Sequence, residues 1–455
     1  MTLPNLLPMS PVQQLLNWIA RPYPFLDDCA QKYGERFTLR LWGFPPLVMT
    51  SNPQDIKQIF SRDTKKFDAG KSNALVRPLL GDNSLVLLDG DRHKHHKKLL
   101  MPPFHGKSIK SYADIIANIT DKATSEWEID KPFLIHKIVQ DITLEVILSV
   151  VFGLSEGERY QQLKPLLTDM LDLMGSPWRS SFLFLPLLQQ DWGAWSPWGN
   201  IVRMRKTIYR LLQAEIDQRR IDSNAEKQDV LSLMLLSKDE QGNGLTDDEL
   251  MTLLVGGHET TASTLAWAFY WIHKQPQVKQ KLLEEIDHLA ENSEPLSCAS
   301  LPYLTAICNE TLRIYPVVPF CFARITKFPQ QIMGQYFPTD TALVACTYLL
   351  HHREDLYPQS RQFKPERFLE RQFLPHEFIP FGGGDRRCLG YALAELEIKV
   401  VIARILKSYE LYLANDETVV PKRRGVTIAT SSGVPLVLKS RRQILAQRQS
   451  PLPVR

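Results

Sequence analysis

The chain has 455 residues, and its 44% hydrophobic and 23% charged content excludes a disordered protein and is typical of a globular one. Its 54 basic and 50 acidic residues leave a formal net charge of +4, which is too small to indicate a nucleic-acid partner. The six cysteines lack the spacing of a zinc site or a secreted disulfide framework, and the N-terminal region has no apolar run that predicts a membrane span. We therefore expect a cytoplasmic protein with reduced thiols.

The first half of the chain predicts a β-hairpin followed by helices. Residues 36–50 alternate polar and apolar side chains, which is typical of a hairpin, and a helix is expected over 52–60. From about 107 to 220 apolar residues recur at three- and four-residue spacing, as in helices. The aromatic- and proline-rich stretch 178–200 breaks this pattern and predicts an apolar, mobile lid.

Three long helices are predicted in the second half. Thr246 and Glu249 form a capping box after the turn signal at 239–244, and the helix that they begin should run to about Lys274. The apolar spacing predicts two further helices, over about 302–315 and 389–406.

Strand-like segments occur near 323–346 and again near 426–438. No long Gly/Ser-rich or charge-rich linker divides the chain. The sequence thus predicts one domain over residues 1–455, mainly α with a minor β region. About 439–455 should form a flexible basic tail.

A glycine-rich segment precedes one cysteine: Phe381-Gly382-Gly383-Gly384-Asp385-Arg386-Arg387-Cys388-Leu389-Gly390. Glycines let the backbone turn tightly and approach a flat ligand without Cβ clashes. Cys388 stands where the last helix is expected to begin, so the helix N-terminus and Arg386 favour a thiolate, and a ferric ion would complete its stabilisation. A buried cysteine after a turn is the alternative for Cys388 alone, but the ten-residue pattern argues against it.

This segment has the form F-x-x-G-x-R-x-C-x-G and resembles the haem-binding signature of the cytochrome P450 superfamily, soluble bacterial members above all. Further motifs extend the likeness from about residue 30 to residue 440. The resemblance implies the P450 fold, with a long central helix over the haem. It also implies haem b with Cys388 as the iron ligand, and places Phe381, Arg386 and Gly390 in the cofactor site.

A second matching motif is Glu310-Thr311-Leu312-Arg313. Residues three apart on a helix lie on the same face, so Glu310 and Arg313 can pair, although an exposed pair contributes little stability. In the family such a pair meets an arginine from a P-E-R-F segment, here Arg367. The resemblance therefore implies a partly buried structural network of Glu310, Arg313 and Arg367.

The third motif is Gly256-Gly257-His258-Glu259-Thr260-Thr261, inside the long helix. Glycine and threonine are poor interior helix residues, which predicts a local distortion with the Thr260 hydroxyl bonded to a main-chain carbonyl. The resemblance implies that Thr260 holds dioxygen and its water, while Glu259 passes protons inward. A zinc-protease motif H-E-x-x-H is excluded because Ala262 stands at its last position.

Haem carries two propionates, and a haem site needs fixed donors for them. By resemblance, His93 and Lys97 on the helix after Asp89-Gly90 are such anchors, together with Arg324 and Arg386. Lys97 departs from the commoner arginine, and it keeps the charge but loses the bidentate fork. A solvated basic face is the alternative.

The activity that the resemblance implies is monooxygenation: dioxygen is activated with two external electrons, and a substrate C–H bond is hydroxylated. The implied pocket residues are almost all apolar and predict a hydrophobic substrate, such as a long-chain fatty acid or related lipid. They include Leu253, Gly256, Val317, Val318 and Phe320. Arg77 or Lys71 is a hypothetical anchor for a substrate carboxylate.

The sequence has no flavin or nicotinamide motif, so the electrons must come from other proteins. We expect a ferredoxin-type donor with its reductase, docking near the basic cluster of Arg92, Lys94, Lys98 and Arg387. Two alternatives stay open: a haem-thiolate peroxygenase or isomerase that needs no external electrons, and a non-catalytic haem-binding sensor. The Glu259-Thr260 pair argues against the first, because those residues serve proton delivery.

Overall fold

The computed structural model describes residues 3–61, 66–104, 106–175, 189–191, 193, 196–222, 229–236, 246–290 and 293–442. In this part of the chain, helices form most of the structure: α1 Pro11–Ala20, α2 Pro22–Tyr33, α3 Pro53–Ser61, α4 Arg77–Leu80, α5 Gly90–Leu100, α6 Lys107–Thr124, α7 Ile135–Val146, α8 Glu158–Gly175, α9 Pro197–Asp222, α10 Val230–Leu236, α11 Asp247–Lys274, α12 Pro276–Asp287, α13 Pro302–Ile314, α14 Thr347–His351, α15 Arg367–Glu370 and α16 Tyr391–Ser408. The prediction of a mainly helical fold is confirmed.

The strands are short: β1 Arg36–Leu39, β2 Leu47–Thr50, β3 Phe67–Asp68, β4 Pro132–Leu134, β5 Arg324–Thr326, β6 Gln330–Ile332, β7 Gln335–Phe337, β8 Ala342–Ala345, β9 Tyr409–Leu413, β10 Pro421–Arg424, β11 Thr427–Thr430 and β12 Pro435–Arg441. A five-stranded sheet has the order β1-β2-β8-β5-β3, and its predicted β1–β2 hairpin is confirmed, with Arg36 opposite Thr50. A three-stranded sheet has the order β4-β12-β9, and β10–β11 and β6–β7 form pairs.

The predicted flexible tail is wrong for its first residues. Lys439 and Arg441 belong to β12, which pairs with β9, and Leu436 and Leu438 of the same strand are fully buried. Alternating burial of this kind holds a strand in register, even where its outward side chains are basic. Residues 443–455 lie outside the described part of the chain.

The predicted lid is only partly covered by the described residues. Most of 178–200 and the predicted turn at 239–244 lie outside them. The last part of the lid prediction is wrong, because Trp198 lies in α9 and is 6% exposed. The Ser196 hydroxyl accepts a hydrogen bond from Gly199 N at 3.0 Å, and Pro197 stands in the first turn, so a helix begins where aromatic content alone predicted none.

Helix α11 is the central element, and it contacts α7, α13, α16 and β11. Its predicted start is confirmed: Thr246 N–H donates to the Glu249 carboxylate at 2.8 Å. Leu254, Leu265 and Trp267 are fully buried on this helix, whereas Gly256 is exposed. Among the described residues no helix is long and apolar enough to cross a membrane.

Glu310, Arg313 and Arg367 meet in the core. Arg313 donates twice to the Glu310 carboxylate, at 2.6 and 2.9 Å, and Arg367 Nε donates to it at 3.1 Å. The spare N–H groups of Arg313 donate to the carbonyls of His351 and Gln362, so the charges are also hydrogen-bonded. The side chains of Glu310 and Arg313 are fully buried. This network joins α13 to the segment that leads to the Cys388 loop.

We expect Glu310→Gln to lower the free energy of unfolding by about 3–5 kcal/mol, because two buried arginines lose their counter-charge. Urea denaturation of the purified protein measures this loss. Glu128→Gln is the control: Glu128 pairs with Lys131 at the surface, and its loss should cost less than about 1 kcal/mol. Equal losses in the two variants would contradict a stabilising role for the network.

Candidate active site

Two glycines of the loop before Cys388 pack closely against α3. A Cβ on Gly383 would lie 2.2 Å from the Phe60 ring, and one on Gly384 would lie 2.7 Å from the Phe60 carbonyl oxygen. Gly382 and Gly384 also have φ of +70° and +62°, where side chains are strained. The positive φ values agree with the tight turn that the sequence predicts. Gly383 and Gly384 also make room for Phe60, a contact that the sequence analysis missed.

Cys388 is the exposed cysteine among the six, all of which the structure describes. Its N–H donates to the Phe381 carbonyl at 2.9 Å, and α16 begins only at Tyr391, with Gly390 as N-cap. Cys388 is accessible to solvent, but the protein atoms packed near its sulfur desolvate it and so raise the pKa of the thiol, while the Gly390 N–H, Lys97 and Arg387 lower it. The protein alone therefore leaves this thiol protonated at neutral pH, and Lys97 and Arg387 are cations that favour its thiolate.

The predicted cations gather around the Cys388 loop. Lys97 Nζ donates to the carbonyls of Asp385 and Arg387, at 2.6 and 3.2 Å. Arg324 Nη2 donates to the Gly383 carbonyl at 3.1 Å, and burial lowers the pKa of Arg324 to about 10, so it stays protonated at neutral pH. Both residues therefore fix the loop and leave positive charge beside it.

His93 lies in the same cluster but does not carry a charge. Burial, and then the charges of Arg386, Lys97 and Arg324, lower the pKa of His93 to about 3. His93 is therefore a neutral member of the predicted anchor set at neutral pH. Its Nδ1 has no hydrogen-bond partner within the described residues, so His93 is a neutral imidazole with an unused polar atom.

Arg386 is held by a residue that the sequence analysis did not assign. The Asp89 carboxylate lies 2.6 Å from Arg386 Nη2, and Arg386 also donates to the Leu85 and Leu88 carbonyls. Arg386 Nε is without a partner in the described part of the chain. The Asp89-Gly90 pair at the start of α5 was the available signal, but the contact joins residues 297 apart in sequence.

The donor set fits the cofactor that the sequence predicts. Cys388 is exposed and supplies a sulfur, and Lys97, Arg324 and Arg386 supply three cations for two propionates. The unpaired atoms of His93 and Arg386 are further donors whose burial without a partner is costly. These groups are the ones that would hold a haem.

Two faces of α11 carry its motif. The Thr260 hydroxyl donates to the Gly256 carbonyl at 2.7 Å, the main-chain bond that the sequence predicts, although the helix continues without a break. Glu259, the preceding residue, points to a different face of the helix. Gln140 Nε2 donates to its carboxylate at 2.9 Å, and Arg424 Nε lies 3.0 Å from it.

Glu259 is the centre of a charged cluster. His136 Nε2 lies 3.4 Å from the carboxylate, and the Ser263 hydroxyl donates to it at 3.2 Å. Burial alone would raise the pKa of Glu259, but the nearby His136 and the charge of Arg424, with a smaller effect of His258, outweigh it and lower the pKa to about 2. Glu259 is therefore ionised at neutral pH, and sequence reasoning missed its partners His136 and Arg424.

The predicted pocket residues differ in exposure. Leu253 and Phe320 are half-buried, and Val318 is 39% exposed. Phe320 packs on Trp18 of α1, with ring centroids 5.0 Å apart. Val317 is buried, and its carbonyl accepts a hydrogen bond from Ile428 N at 2.8 Å. Trp18 was not identified from the sequence because it lies 302 residues from Phe320.

Glu259→Gln tests the charged cluster through the pH dependence of stability. The folded pKa of about 2 lies below the ordinary value of 4.5, so the carboxylate contributes stability above about pH 4.5 that is lost as the pH falls towards 2. Between about pH 6 and pH 3.5 the wild type should lose about 1 kcal/mol more than the variant. Urea denaturation at both pH values measures this. The exposed Glu126→Gln is the control and should follow the wild type; parallel losses in all three proteins would contradict the assignment.

Comparison with known proteins agrees with this geometry. The family model "Cytochrome P450" matches residues 4–436. A putative cytochrome P450 135B1 of Mycobacterium tuberculosis is 34% identical over 431 residues, covering 94% of this chain and 89% of the relative.

A putative cytochrome P450 138 of the same organism is 32% identical over 421 residues, covering 91% of each chain. The structure of retinoic acid bound cyanobacterial CYP120A1 superposes with a TM-score of 0.84, at 22% identity, over 96% of this chain and 99% of that one, and so has the same fold. This chain belongs to the cytochrome P450 family, and it is accordingly an oxidoreductase, a haem-thiolate monooxygenase with haem b on a cysteine.

Proposed function

We propose that this P450 hydroxylates a long-chain fatty acid or a related apolar lipid, with Cys388 as its iron ligand and a ferredoxin-type protein as its electron donor. The observation that carries the ligand assignment is the convergence of Lys97, Arg324 and Arg386 around the loop of the exposed Cys388. When bound, haem supplies the activation of dioxygen, with thiolate ligation favouring O–O cleavage. Lys97, Arg324 and Arg386 serve its propionates, and His93 serves as a neutral donor.

Proton handling is assigned to α11. The Thr260 hydroxyl, anchored on the Gly256 carbonyl, is a polar group on the side of the helix where Gly256 is exposed. The Glu259 carboxylate is held as an anion by Arg424 and its neighbours, so it takes up a proton only after this cluster rearranges. Arg424 also pairs with Asp172, which is 58% exposed, and this pair connects the cluster to solvent.

The substrate class rests on large apolar side chains that are exposed in the structure. Val318 is 39% exposed and Phe322, four residues on, is 43% exposed, although both are large and apolar. The fold relative CYP120A1 is described with bound retinoic acid, an apolar carboxylic acid. Lys71 and Arg77, the hypothetical carboxylate anchors, are exposed and pair with Asp340 and Asp82, so we assign recognition to apolar contact instead.

A ligand titration tests this substrate class. We expect long-chain fatty acids and their matching alcohols to shift the haem absorption spectrum with similar affinity, because contact with the chain dominates, and each added methylene should improve binding by about fourfold. Val318→Asp should weaken binding by at least about tenfold. Ile129→Asp is the control, since Ile129 is 56% exposed at the outer surface.

Mass spectrometry of products, with a surrogate ferredoxin and its reductase, should show hydroxylated lipid. A broad lipid panel that produces neither a spectral shift nor a product would contradict the substrate proposal. Turnover with peroxide but none with the reductase chain would favour a peroxygenase.

We assign the docking site of the electron-donor protein to the basic cluster beside the Cys388 loop. Arg92, Lys94 and Lys98 are exposed on α5, and Arg387 is exposed with its guanidinium 3.9 Å from the Tyr391 ring centre. Lys97 joins α5 to the loop that contains Arg387, so we assign the four cations to one docking surface. Such a surface attracts an acidic partner and speeds its association at low salt.

We expect the double variant Arg92→Glu, Lys98→Glu to slow the first electron transfer from an acidic ferredoxin by at least about tenfold at low salt, and to flatten its salt dependence. Stopped-flow reduction of the haem measures both. Lys131→Glu, 69% exposed on a distant loop, is the control and should leave the rate unchanged. An unaltered rate and salt dependence in the double variant would place the donor elsewhere.

A further inference from the structure

Asp89 links two segments of the chain through its carboxylate. Oδ1 accepts hydrogen bonds from the backbone N–H groups of Ala69 and Gly70, at 2.7 and 2.9 Å, and Oδ2 accepts one from Lys71 at 3.2 Å. Three N–H groups on one carboxylate are a strong, charge-assisted arrangement. We call residues 69–71 the amide turn.

The same carboxylate contacts Arg386, whose side chain is only 5% exposed. The Arg386 guanidinium donates to the Leu85 and Leu88 carbonyls as well as to Asp89, so residues 85–89 surround it. A long arginine side chain has many rotamers, and these contacts select one of them. Arg386 stands two positions before Cys388.

The segment around Asp89 is fixed at its other end too. Asn83 N–H donates to Asp248 at 2.8 Å, and the hydroxyls of Ser84 and Thr252 are 2.7 Å apart, so residues 83–84 are bound to α11. A Cβ on Gly70 would lie 2.1 Å from the Leu87 carbonyl oxygen, which shows how closely the amide turn rests on the segment. Residues 83–89 thus span from α11 to the Cys388 loop.

Helix α5 begins directly after Asp89. The His93 N–H donates to the Asp89 carbonyl at 3.3 Å, so the backbone of Asp89 is part of the first turn of the helix that carries His93 and Lys97. Asp89 therefore sets the position of Arg386 through its side chain, and its backbone starts the helix of two further cofactor donors, His93 and Lys97.

We propose that Asp89 is a positioning residue for the cofactor site: it holds Arg386 against the amide turn, so that the guanidinium faces a haem propionate in one fixed orientation. This inference rests on the proposed role of Cys388 and Arg386 at the haem. Asp89 itself does not touch the reacting atoms. Its negative charge also offsets part of the positive charge of the Lys97, Arg324 and Arg386 cluster, and this favours the oxidised haem.

The test compares Asp89→Asn with Asp91→Asn in the haem-loaded protein. Asn keeps an acceptor oxygen for the amide turn but loses the charge that holds Arg386. We expect haem transfer to an excess of a haem-scavenging apoprotein to be at least about tenfold faster for Asp89→Asn. The equilibrium should also shift by about threefold towards reduced haem, which a purely structural role would not cause. Asp91 is exposed in the same first turn, and Asp91→Asn should change neither the haem-transfer rate nor the reduction equilibrium by more than about twofold.

A double variant separates the two residues. Because Asp89 acts through Arg386, Asp89→Asn combined with Arg386→Met should release haem no faster than Arg386→Met alone. The proposal is overturned if Asp89→Asn matches Asp91→Asn in both measurements, or if the two substitutions add independently.

Hydrogen exchange provides a second test that does not need a folded Asp89 variant. In Arg386→Met the Asp89 carboxylate loses its partner, so amides 69–71 should exchange at least about tenfold faster while those of the β1–β2 hairpin stay unchanged. Unchanged exchange at 69–71 would overturn the proposal. The carbon monoxide spectrum of the reduced wild-type protein tests the proposed function separately. A spectrum without a thiolate-ligated form would refute Cys388 as the iron ligand. The Asp89–Arg386 contact would then still be tested by the hydrogen-exchange experiment.

Discussion

Positive charge on buried side chains is the constraint around which the site is built. Lys97 and Arg324 donate to main-chain carbonyls of the Cys388 loop and so hold it, yet carbonyl dipoles do not neutralise their charge. Burial lowers the pKa of Arg324 and also of Lys97, and it pushes His93 to its neutral form, which shows how far the cluster is from water. A dianionic cofactor beside these cations removes that cost, so the polypeptide and the haem propionates stabilise one another.

The Glu310 network stabilises buried charged side chains without a ligand. Glu310 is fully buried, but Arg313, Arg367 and the Lys364 N–H all donate to it, so its charge is matched inside the chain. The charged groups around Glu310 and those around Cys388 therefore differ in their hydrogen-bond partners. In the Glu310 network the side-chain N–H groups of both arginines find acceptors within the chain, and the network stabilises the core. Beside Cys388, Arg386 Nε and His93 Nδ1 find no partner among the described residues, so a bound anion would complete the site.

Local patterns in the sequence predicted much of the fold and of the candidate site. The features that they missed depend on contacts between residues far apart in the sequence. Spacing on one helix was enough to place Glu310 beside Arg313, and the Thr246–Glu249 capping box gave the start of α11. Residues such as Phe60 against Gly383, or Asp89 against Arg386, are hundreds of positions apart, and no periodicity reports such contacts. The ionisation states were equally hidden in the sequence: His93 is neutral because it is buried and because Arg386, Lys97 and Arg324 lie near it, and only the fold creates both conditions.

The two faces of α11 depend on different neighbours. Thr260 is fixed by its own helix, through the Gly256 carbonyl, and keeps its position wherever the surrounding elements lie. Glu259 is fixed by Arg424, which also pairs with Asp172 on α8 and packs against Gly175 at the end of that helix. The electrostatic effect of Arg424 on Glu259 therefore depends on the position of α8. Because the depressed pKa of Glu259 comes partly from Arg424, any displacement of α8 that draws Arg424 towards Asp172 raises that pKa and increases the fraction of the carboxyl that carries a proton.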